Sequence, residues 1–439
     1  MAILEKKKIG LIGAIAIVAG NMMGSGIALL PSSLASIGSI TIISWTISLF
    51  GVLSLAFVFA RLGLKDPKQG GPVAYARKLS PILGFQTELL YWGANWIGNL
   101  AIAITGVEYL SVFYHPLTDP IIGGIATIIF LWIFTIINFF GADKIAKIVS
   151  VTVLLLLIPV IGTAVFGWFH FSSEIFISNW NVSSMSSSRA IFSGILLAIW
   201  AFIGVESASV SANLVENPKR TIPLATLIGT GIAALAYIAS TTAISGMFPA
   251  NEMVKSGAPF AVSFAAITGN WIKPFVSAFT AVACLASLGS WMMLVGQAGI
   301  AAAKRGTLPP IFGRINEKRG VPIAGLIINS ILMSILMILI MIISYLGKKN
   351  TIEVFNFIIS IAVLLTLFPY LYSCLQLIKL DGIRTKLFIS FISAILACIL
   401  IFIALAGAEK QEMVGALIVS LICFILYAIK QSKKSKEIN

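Results

Sequence analysis

The sequence predicts an all-α membrane protein with twelve transmembrane helices, in which two inverted five-helix repeats each begin with a broken helix. Three observations support this fold class: apolar stretches long enough to span a bilayer, glycine interruptions at corresponding positions of the two halves, and basic residues concentrated on one side. Of the 439 residues, 59% are hydrophobic and 10% are charged, and the mean hydropathy is +1.02. Soluble domains do not have this composition, and several apolar runs exceed the length of about eighteen residues that marks a transmembrane helix.

Twelve stretches are predicted to span the membrane. The first is long, is interrupted by glycines and has no small-residue cleavage site, which indicates a retained span rather than a signal peptide. The stretches lie near residues 9–34, 40–61, 82–114, 120–140, 147–169, 189–212, 223–248, 273–303, 322–346, 352–378, 387–407 and 412–429.

The basic residues are distributed unequally between the two sides of the predicted membrane. The net charge is +14, and positive charge collects on the cytoplasmic side of membrane proteins. Both termini are therefore predicted to be cytoplasmic in a multi-pass protein of the inner cell membrane, and no nucleic acid partner is needed to explain the charge. Six of the thirty Lys and Arg residues fall on the opposite side, namely Arg189, Lys255, Lys273, Lys348, Lys349 and Lys410.

The stretch Asn21–Gly26 interrupts the first span, with glycines at positions 20, 24 and 26. Unpaired backbone groups are costly in hydrocarbon, so a break at mid-depth is tolerated where it is buried in protein or lines a cavity. Glycine leaves the backbone accessible to a ligand, and the N–H groups at the start of the second half-helix suit a carboxylate. The alternative is a glycine-kinked helix that packs closely against a neighbour.

A second interruption lies in the sixth span at Gly204. A shift of about 180 residues superimposes Gly24 on Gly204 and spans one to five on spans six to ten, and an odd number of spans in each repeat makes the repeats inverted. The predicted units are residues 1–185, residues 186–380 and, outside the repeats, residues 381–439, whose two spans are expected to serve packing or dimer contact. Paired interruptions of this kind are a sequence signature of a transporter's substrate site.

Residues with functional chemistry occur at mid-depth of three spans. Glu206 follows the second interruption, and a buried carboxyl group is functional by default, with a structural hydrogen bond as the alternative. Tyr91, Asn95 and Asn99 recur every four residues and share one helix face, which predicts a cavity wall or, alternatively, interhelical hydrogen bonding. Trp291 follows a small-residue segment and offers a π-face to a cation, unless it is a core residue.

The remaining residues form no catalytic or metal-binding pattern. The four cysteines fall inside predicted spans without CxxC spacing, and His115 and His170 lie near outer helix ends. No nucleophile has a base on the same predicted helix face. The sequence therefore predicts no metal, no cofactor and no enzyme, and Glu108 is expected to be solvated.

Five segments resemble the amino acid, polyamine and organocation transporters and, within them, the bacterial arginine/agmatine antiporters. The similarity extends over nearly the whole chain and implies a LeuT-like fold; a homodimer is expected. The segments are Gly20–Gly26, Gly84–Asn99, Trp200–Ser209, Glu216–Arg220 and Ser287–Gln297.

The resemblance implies a substrate site between the two interruptions. The backbone of Met22, Ser25 and Gly26 would hold the substrate carboxylate. The carbonyls of Trp200 and Ile203 would hold the α-amino group, and the Trp200 ring would cap the occluded site.

The resemblance also implies that Trp291 stacks on a guanidinium and that Asn99 hydrogen-bonds it. Three positions depart from the family pattern. Asn95 stands where these antiporters usually have Cys, Ala362 where a Ser contacts the guanidinium, and Val73 where a Tyr contributes to pH sensing. Asn95 is therefore a candidate contact that replaces the missing Ser.

The resemblance implies further that Tyr91 and Tyr370 help gate the site and that Glu206 takes part in coupling or pH response. Phe355 is an additional candidate for gating.

The sequence thus predicts an alternating-access exchanger that imports arginine and exports agmatine, which together with a cytoplasmic decarboxylase would remove protons and confer acid resistance. Arginine/ornithine and putrescine/ornithine exchange are alternatives within the same fold. An ion-coupled symporter would need a cation site of carbonyls and hydroxyls near the eighth span, where Ser287 and Ser290 lie.

Overall fold

The computed structural model is helical throughout the part of the chain that it describes, which comprises residues 10–23, 26–65, 71–140, 155–206, 215–316, 319–347, 350–381 and 388–438. In these residues no strand forms, and one isolated antiparallel bridge joins Asn316 and Val321. Within the described ranges, eight helices are long and apolar enough to cross a membrane, and four shorter apolar helices accompany them. The all-helical membrane fold is confirmed, whereas the count of twelve spans stays a prediction.

The helices are numbered in chain order. They are α1 Leu11–Met22, α2 Leu30–Ala35, α3 Thr41–Lys65, α4 Gly71–Leu79, α5 Pro81–Leu110, α6 Pro120–Asn138, α7 Leu155–His170, α8 Ser173–Ser178, α9 Ser187–Trp200, α10 Pro218–Met247, α11 Ala250–Met253, α12 Pro259–Thr268, α13 Lys273–Lys304, α14 Ile323–Gly347, α15 Thr351–Asp381, α16 Phe388–Gly407 and α17 Lys410–Ile438.

The first helix is interrupted at the predicted glycine-rich stretch. α1 ends at Met22, and the chain resumes helical structure at Leu30 with Pro31 in the first turn. Proline is tolerated there because the N–H groups of a first turn have no intrahelical partner. The short helix α2 is therefore a new start rather than a continuation of α1.

The second interruption follows α9, which ends at Trp200, and residues 201–206 form consecutive turns. Gly204 has a φ of +105°, which residues with a Cβ rarely adopt. The two interruptions touch each other, since a Cβ at Gly26 would lie 3.5 Å from Ala201 Cα and 3.7 Å from the Trp200 carbonyl oxygen.

The long helix α5 lies at the centre of the bundle. It packs against α13 and α15, while α3 packs against α9, α10 and α16. The face of α5 that carries Tyr91, Asn95 and Asn99 therefore reaches the interruptions. Below, the side that the basic residues assign to the cytoplasm is called the inner side, and the opposite side is called the outer side.

The prediction that Glu108 is solvated is wrong. Only 4% of this residue is exposed, because the outer connection between α11 and α12 folds back over it. A Cβ at Gly257 in that connection would collide with Glu108 Oε2. The same connection is tied to α2, where Ser32 Oγ donates to the Ser256 carbonyl oxygen at 2.7 Å.

Candidate functional site

A cavity with an empty volume of about 520 Å³ lies where the two interruptions meet one face of α5. α13 contributes Trp291 to its wall and α15 contributes Thr366. The lining residues are Met22, Gly26, Tyr91, Ala94, Asn95, Gly98, Asn99, Ile102, Trp200, Ile203, Trp291 and Thr366.

Most residues predicted for the site line this cavity. Ser25 lies outside the described residues. Glu206 and Tyr370 do not line the cavity: Glu206 accepts a hydrogen bond from the lining residue Tyr91, and Tyr370 donates one to Glu206. Phe355 is fully buried and is not among the lining residues, so its gating role stays a prediction. The residues that the structure brings together as predicted are Met22, Gly26, Tyr91, Asn95, Asn99, Trp200, Ile203 and Trp291.

Four lining residues were missed in the sequence. Ala94, Gly98 and Ile102 follow Tyr91, Asn95 and Asn99 by three residues, so helical periodicity could have found them. Thr366 lies one turn before Tyr370 on α15 and could have been found in the same way. These residues widen the apolar part of the wall and add one hydroxyl group.

Asn99 is the polar side chain whose hydrogen bonds are least complete. It is 1% exposed, and neither its Nδ2 nor its Oδ1 has a hydrogen-bond partner in the described part of the protein. A buried amide without partners is costly, because it loses its hydrogen bonds to water and gains none in return. Asn99 therefore offers one donor and one acceptor to a polar ligand in the cavity.

Asn95 is partly committed to its own helix. Its Nδ2 donates to the Tyr91 carbonyl oxygen at 2.6 Å, which leaves Oδ1 as the group suited to accept a hydrogen bond from a ligand. Thr366 is oriented similarly, since its Oγ1 donates to the Ala362 carbonyl oxygen at 2.8 Å. Both side chains are therefore acceptors for a cationic donor.

Two tryptophan rings form the aromatic part of the wall. A Cβ at Gly98 would lie 3.2 Å from Trp200 Cη2, so a side chain at position 98 would displace the ring. Trp200 is 8% exposed and its Nε1 has no partner among the described residues. Trp291 is half-buried and faces the cavity from α13. Aromatic faces attract organic cations without a fixed negative charge.

The carboxylate of Glu206 joins three elements beside the cavity. Tyr91 on α5 donates its hydroxyl to Glu206 Oε1 at 2.7 Å, and Tyr370 on α15 donates to Oε2 at 2.9 Å. Glu206 is 2% exposed, and the Tyr370 ring packs edge-on against Phe59 with ring centroids 5.3 Å apart. Any movement of the second interruption relative to α5 or α15 must therefore break one of these hydrogen bonds.

A larger vestibule with an empty volume of about 810 Å³ lies on the inner side of the cavity. It shares Tyr91, Asn95 and Trp291 with the cavity, and these three residues form the boundary between the two spaces. The cavity therefore adjoins the vestibule in the conformation described.

A charged cluster lies at the inner end of the vestibule, around Glu88. Arg305 Nε lies 2.6 Å from Glu88 Oε1, while Arg77 Nη2 lies 3.0 Å and Thr307 Oγ1 2.6 Å from Oε2. The sequence reasoning missed this cluster, although an acidic residue at the inner end of a span flanked by basic residues was a usable signal. The cluster holds α4, α5 and the end of α13 together.

The cavity suits binding more than chemistry. No histidine or cysteine lies among its lining residues, and its polar groups are amides, hydroxyls and backbone. A bundle of membrane-crossing helices with a central cavity between two helix interruptions defines a membrane transport protein.

The chain belongs to the amino acid permease family, whose family model matches residues 9–429. This confirms the resemblance to the amino acid, polyamine and organocation transporters. The chain is 51% identical over 431 residues to a cadaverine/lysine antiporter of Escherichia coli strain K12, with 98% of this chain and 97% of the relative covered. It is 33% identical over 438 residues to the putrescine transporter PotE of the same strain, with 98% and 97% covered.

A solved structure supports the fold independently. The structure of MhsT in complex with L-phenylalanine superimposes with a TM-score of 0.61, covers 92% of this chain and 100% of that chain, and shares 15% sequence identity. The overall helical arrangement is therefore the LeuT-like one that the resemblance implied.

Replacing Asn95 by alanine is expected to weaken arginine binding about fivefold and ornithine binding less, because a guanidinium would lose the acceptor Oδ1. Binding calorimetry with both amino acids measures this. Asn138→Ala is the matched control, since Asn138 Nδ2 also donates to the backbone one turn earlier, at 2.8 Å from the Phe134 oxygen, and it does not line the cavity. Equal losses for both ligands would make Asn95 a structural residue.

Proposed function

We propose that this protein exchanges a cationic amino acid for the amine formed by its decarboxylation, with lysine entering and cadaverine leaving as the leading pair. The observation that carries the proposal is the cavity at the two interruptions, where the unpartnered Asn99 amide and the Trp291 ring face the same space. The 51% identity to a cadaverine/lysine antiporter over 98% of the chain supports the choice of substrates.

The two ends of the substrate are matched by different parts of the cavity. The backbone at Met22 and Gly26 holds the α-carboxylate, and the carbonyls at Trp200 and Ile203 accept hydrogen bonds from the α-amino group. The distal ammonium lies against Trp291 and is hydrogen-bonded by Asn99. A diamine has no carboxylate and therefore does not need the backbone N–H groups. Its two ammonium groups bind to the carbonyls of Trp200 and Ile203 and to the Asn99 amide.

Arginine for agmatine is the second candidate. The planar guanidinium has several N–H donors and suits both the Trp291 face and the acceptor Oδ1 of Asn99. Ala362 argues for lysine instead, because it removes the hydroxyl that contacts the guanidinium in the antiporters that the sequence resembles. Putrescine for ornithine is a further pair within reach of this cavity, and the identity of 33% to a putrescine transporter gives it weaker support.

Exchange proceeds by alternating access around the two interruptions. In the conformation described, the cavity adjoins the inner vestibule through Tyr91, Asn95 and Trp291. Opening to the outer side requires the second interruption to move relative to α5 and α15, and Glu206 is the residue that connects them. The proposal assigns Glu206 to coupling between substrate and conformation.

The proposed exchange is expected to be electrogenic. Lysine carries one net positive charge at neutral pH and cadaverine carries two, so one-for-one exchange moves one positive charge outward. Purified full-length protein in liposomes loaded with cadaverine should take up labelled lysine without any ion gradient and generate a membrane potential. Uptake with agmatine inside and labelled arginine outside should be at least about tenfold slower.

Protein-free liposomes and liposomes without internal amine are the controls. Faster arginine/agmatine exchange would reverse the order of the two candidates. Uptake that requires a sodium or proton gradient and no internal amine would indicate a symporter, and exchange that neither generates nor responds to a potential would reject the charge-exporting pair.

A further inference from the structure

A second buried carboxyl group lies away from the substrate cavity, near the outer end of α5. Glu108 is 4% exposed and lines a separate cavity with an empty volume of about 300 Å³ between α5, α6, α14 and α15. None of the residues that line this cavity lines the substrate cavity. Glu108 therefore lies in an environment separate from the substrate cavity, and the proposed exchange mechanism does not involve it.

Two polar atoms in this cavity lack partners. Glu108 Oε1 and Ser344 Oγ are buried and have no hydrogen-bond partner within the described ranges. Thr127 Oγ1 donates to the Gly123 carbonyl oxygen at 2.8 Å, and Thr351 Oγ1 donates to that of Thr118 at 3.2 Å and also interacts with the Glu108 side chain. The wall therefore offers the Glu108 carboxyl group hydroxyl partners and, in the described part of the chain, no positive charge.

No cation in the described part of the chain compensates an ionised Glu108. Tyr109 on α5 and Cys284 on α13 are buried titratable residues nearby, and neither lines the cavity. Exposed titratable residues that also do not line it are Tyr114, His115 and Asp119 before α6, Glu252 on α11, Lys255 in the outer connection, Tyr345 on α14 and Glu353 on α15. A buried carboxylate without a partner is strongly disfavoured, so this arrangement fits the neutral acid.

We propose that Glu108 is a proton-binding site on the outer side of the transporter, neutral in the conformation described, and that its ionisation loosens the outer connection and makes exchange depend on outer pH. The ligand is a proton rather than a metal ion. Hard metal cations take about six or more oxygen ligands, whereas this wall is mostly isoleucine, methionine, valine and glycine.

The geometry provides a route from Glu108 to the substrate site. Glu108 Oε2 lies against the backbone of Gly257, and the neighbouring Ser256 accepts a hydrogen bond from Ser32 on α2. Tyr109, the next residue on α5, donates its hydroxyl to the Ala28 carbonyl oxygen at 2.9 Å. An ionised Glu108 must be hydrated, and hydration requires the outer connection to move away from it. This movement would break the hydrogen bond between Ser256 and Ser32 in the outer half of the first broken helix.

This inference rests on the proposed function, so its first test does not use transport. Thermal unfolding of the purified protein is measured from acidic to neutral pH. The wild type should lose stability relative to Glu108→Gln as the pH rises, because the folded state holds a proton that the unfolded state releases more easily. Glu353→Gln removes an exposed carboxyl group on the same side and should follow the wild type.

The second test measures lysine/cadaverine exchange in liposomes with the inner pH held constant. The rate of exchange by the wild type should differ about threefold between acidic and neutral outer pH. The Glu108→Gln variant should exchange at every outer pH at the rate that the wild type has at acidic outer pH. Replacing sodium by choline at constant pH should change nothing.

Three results would overturn the proposal: a Glu108→Gln variant with wild-type pH profiles of stability and exchange, a Gln variant that does not fold, or a dependence on sodium in place of protons. A Gln variant that fails to fold counts against the proposal because glutamine reproduces the shape and neutrality of the protonated acid. Absence of exchange in the wild type, with the stability difference intact, would reject the proposed function and leave the proton site standing.

Discussion

Replacing Trp291 by leucine is expected to weaken binding of the cationic substrate by about 1 to 2 kcal/mol, or about five- to thirtyfold. Trp291 borders both the cavity and the inner vestibule, so its ring meets a ligand in the site and a ligand on its way there. Leucine keeps an apolar side chain at this position but removes the π-face that attracts a cation. Titration calorimetry with lysine and cadaverine on purified protein measures the loss.

Trp92→Leu is the matched control for this variant. Trp92 lies on α5, packs edge-on against Phe312 with ring centroids 5.5 Å apart, and lines neither the cavity nor the vestibule. The control should lose stability through the same change in volume and keep wild-type affinity. Unchanged affinity in a folded Trp291 variant would remove the ring from the substrate site.

The helix interruptions and the face of α5 could be predicted from the sequence because both are local properties of the chain. Glycines at mid-depth of an apolar run have few structural explanations in a bilayer, and Tyr91, Asn95 and Asn99 share a helix face whatever surrounds them. Gly26 contacts the second interruption at Ala201, whereas the equivalence of the two halves stays a prediction.

Features that depend on tertiary contacts could not be predicted in this way. Glu108 was expected to be solvated because its position near a helix end gives no sign of the outer connection that covers it. The ion pair of Glu88 with Arg305 joins residues 217 positions apart.

The hydrogen bonds of Tyr91 and Tyr370 to Glu206 also depend on tertiary contacts. The sequence identified Glu206, Tyr91 and Tyr370 separately, and hydrophobic periodicity gives no relation between spans three, six and ten. In the folded protein both carboxylate oxygens are occupied by hydroxyl donors from different helices. This arrangement makes the charge of Glu206 part of the contact between moving elements.

Replacing Glu206 by glutamine is therefore expected to slow exchange by about ten- to a hundredfold, the effect of losing about 1.5 to 3 kcal/mol from a hydrogen bond to a charged group. The amide nitrogen cannot accept from a tyrosine hydroxyl, so one of the two bonds is lost or reversed. Lysine binding should change less than about threefold, because Glu206 is not among the residues that line the cavity.

Tyr370→Phe separates the charge from the hydrogen bond, because it removes the donor at 2.9 Å from Oε2 and leaves the carboxylate and its bond to Tyr91 in place. It should slow exchange, because this one hydrogen bond is lost. The double variant should be no slower than Glu206→Gln alone if the two residues act as one unit. A Gln variant with the wild-type exchange rate would make Glu206 a structural residue, and losses that add in the double variant would show that the tyrosine and the carboxylate act independently.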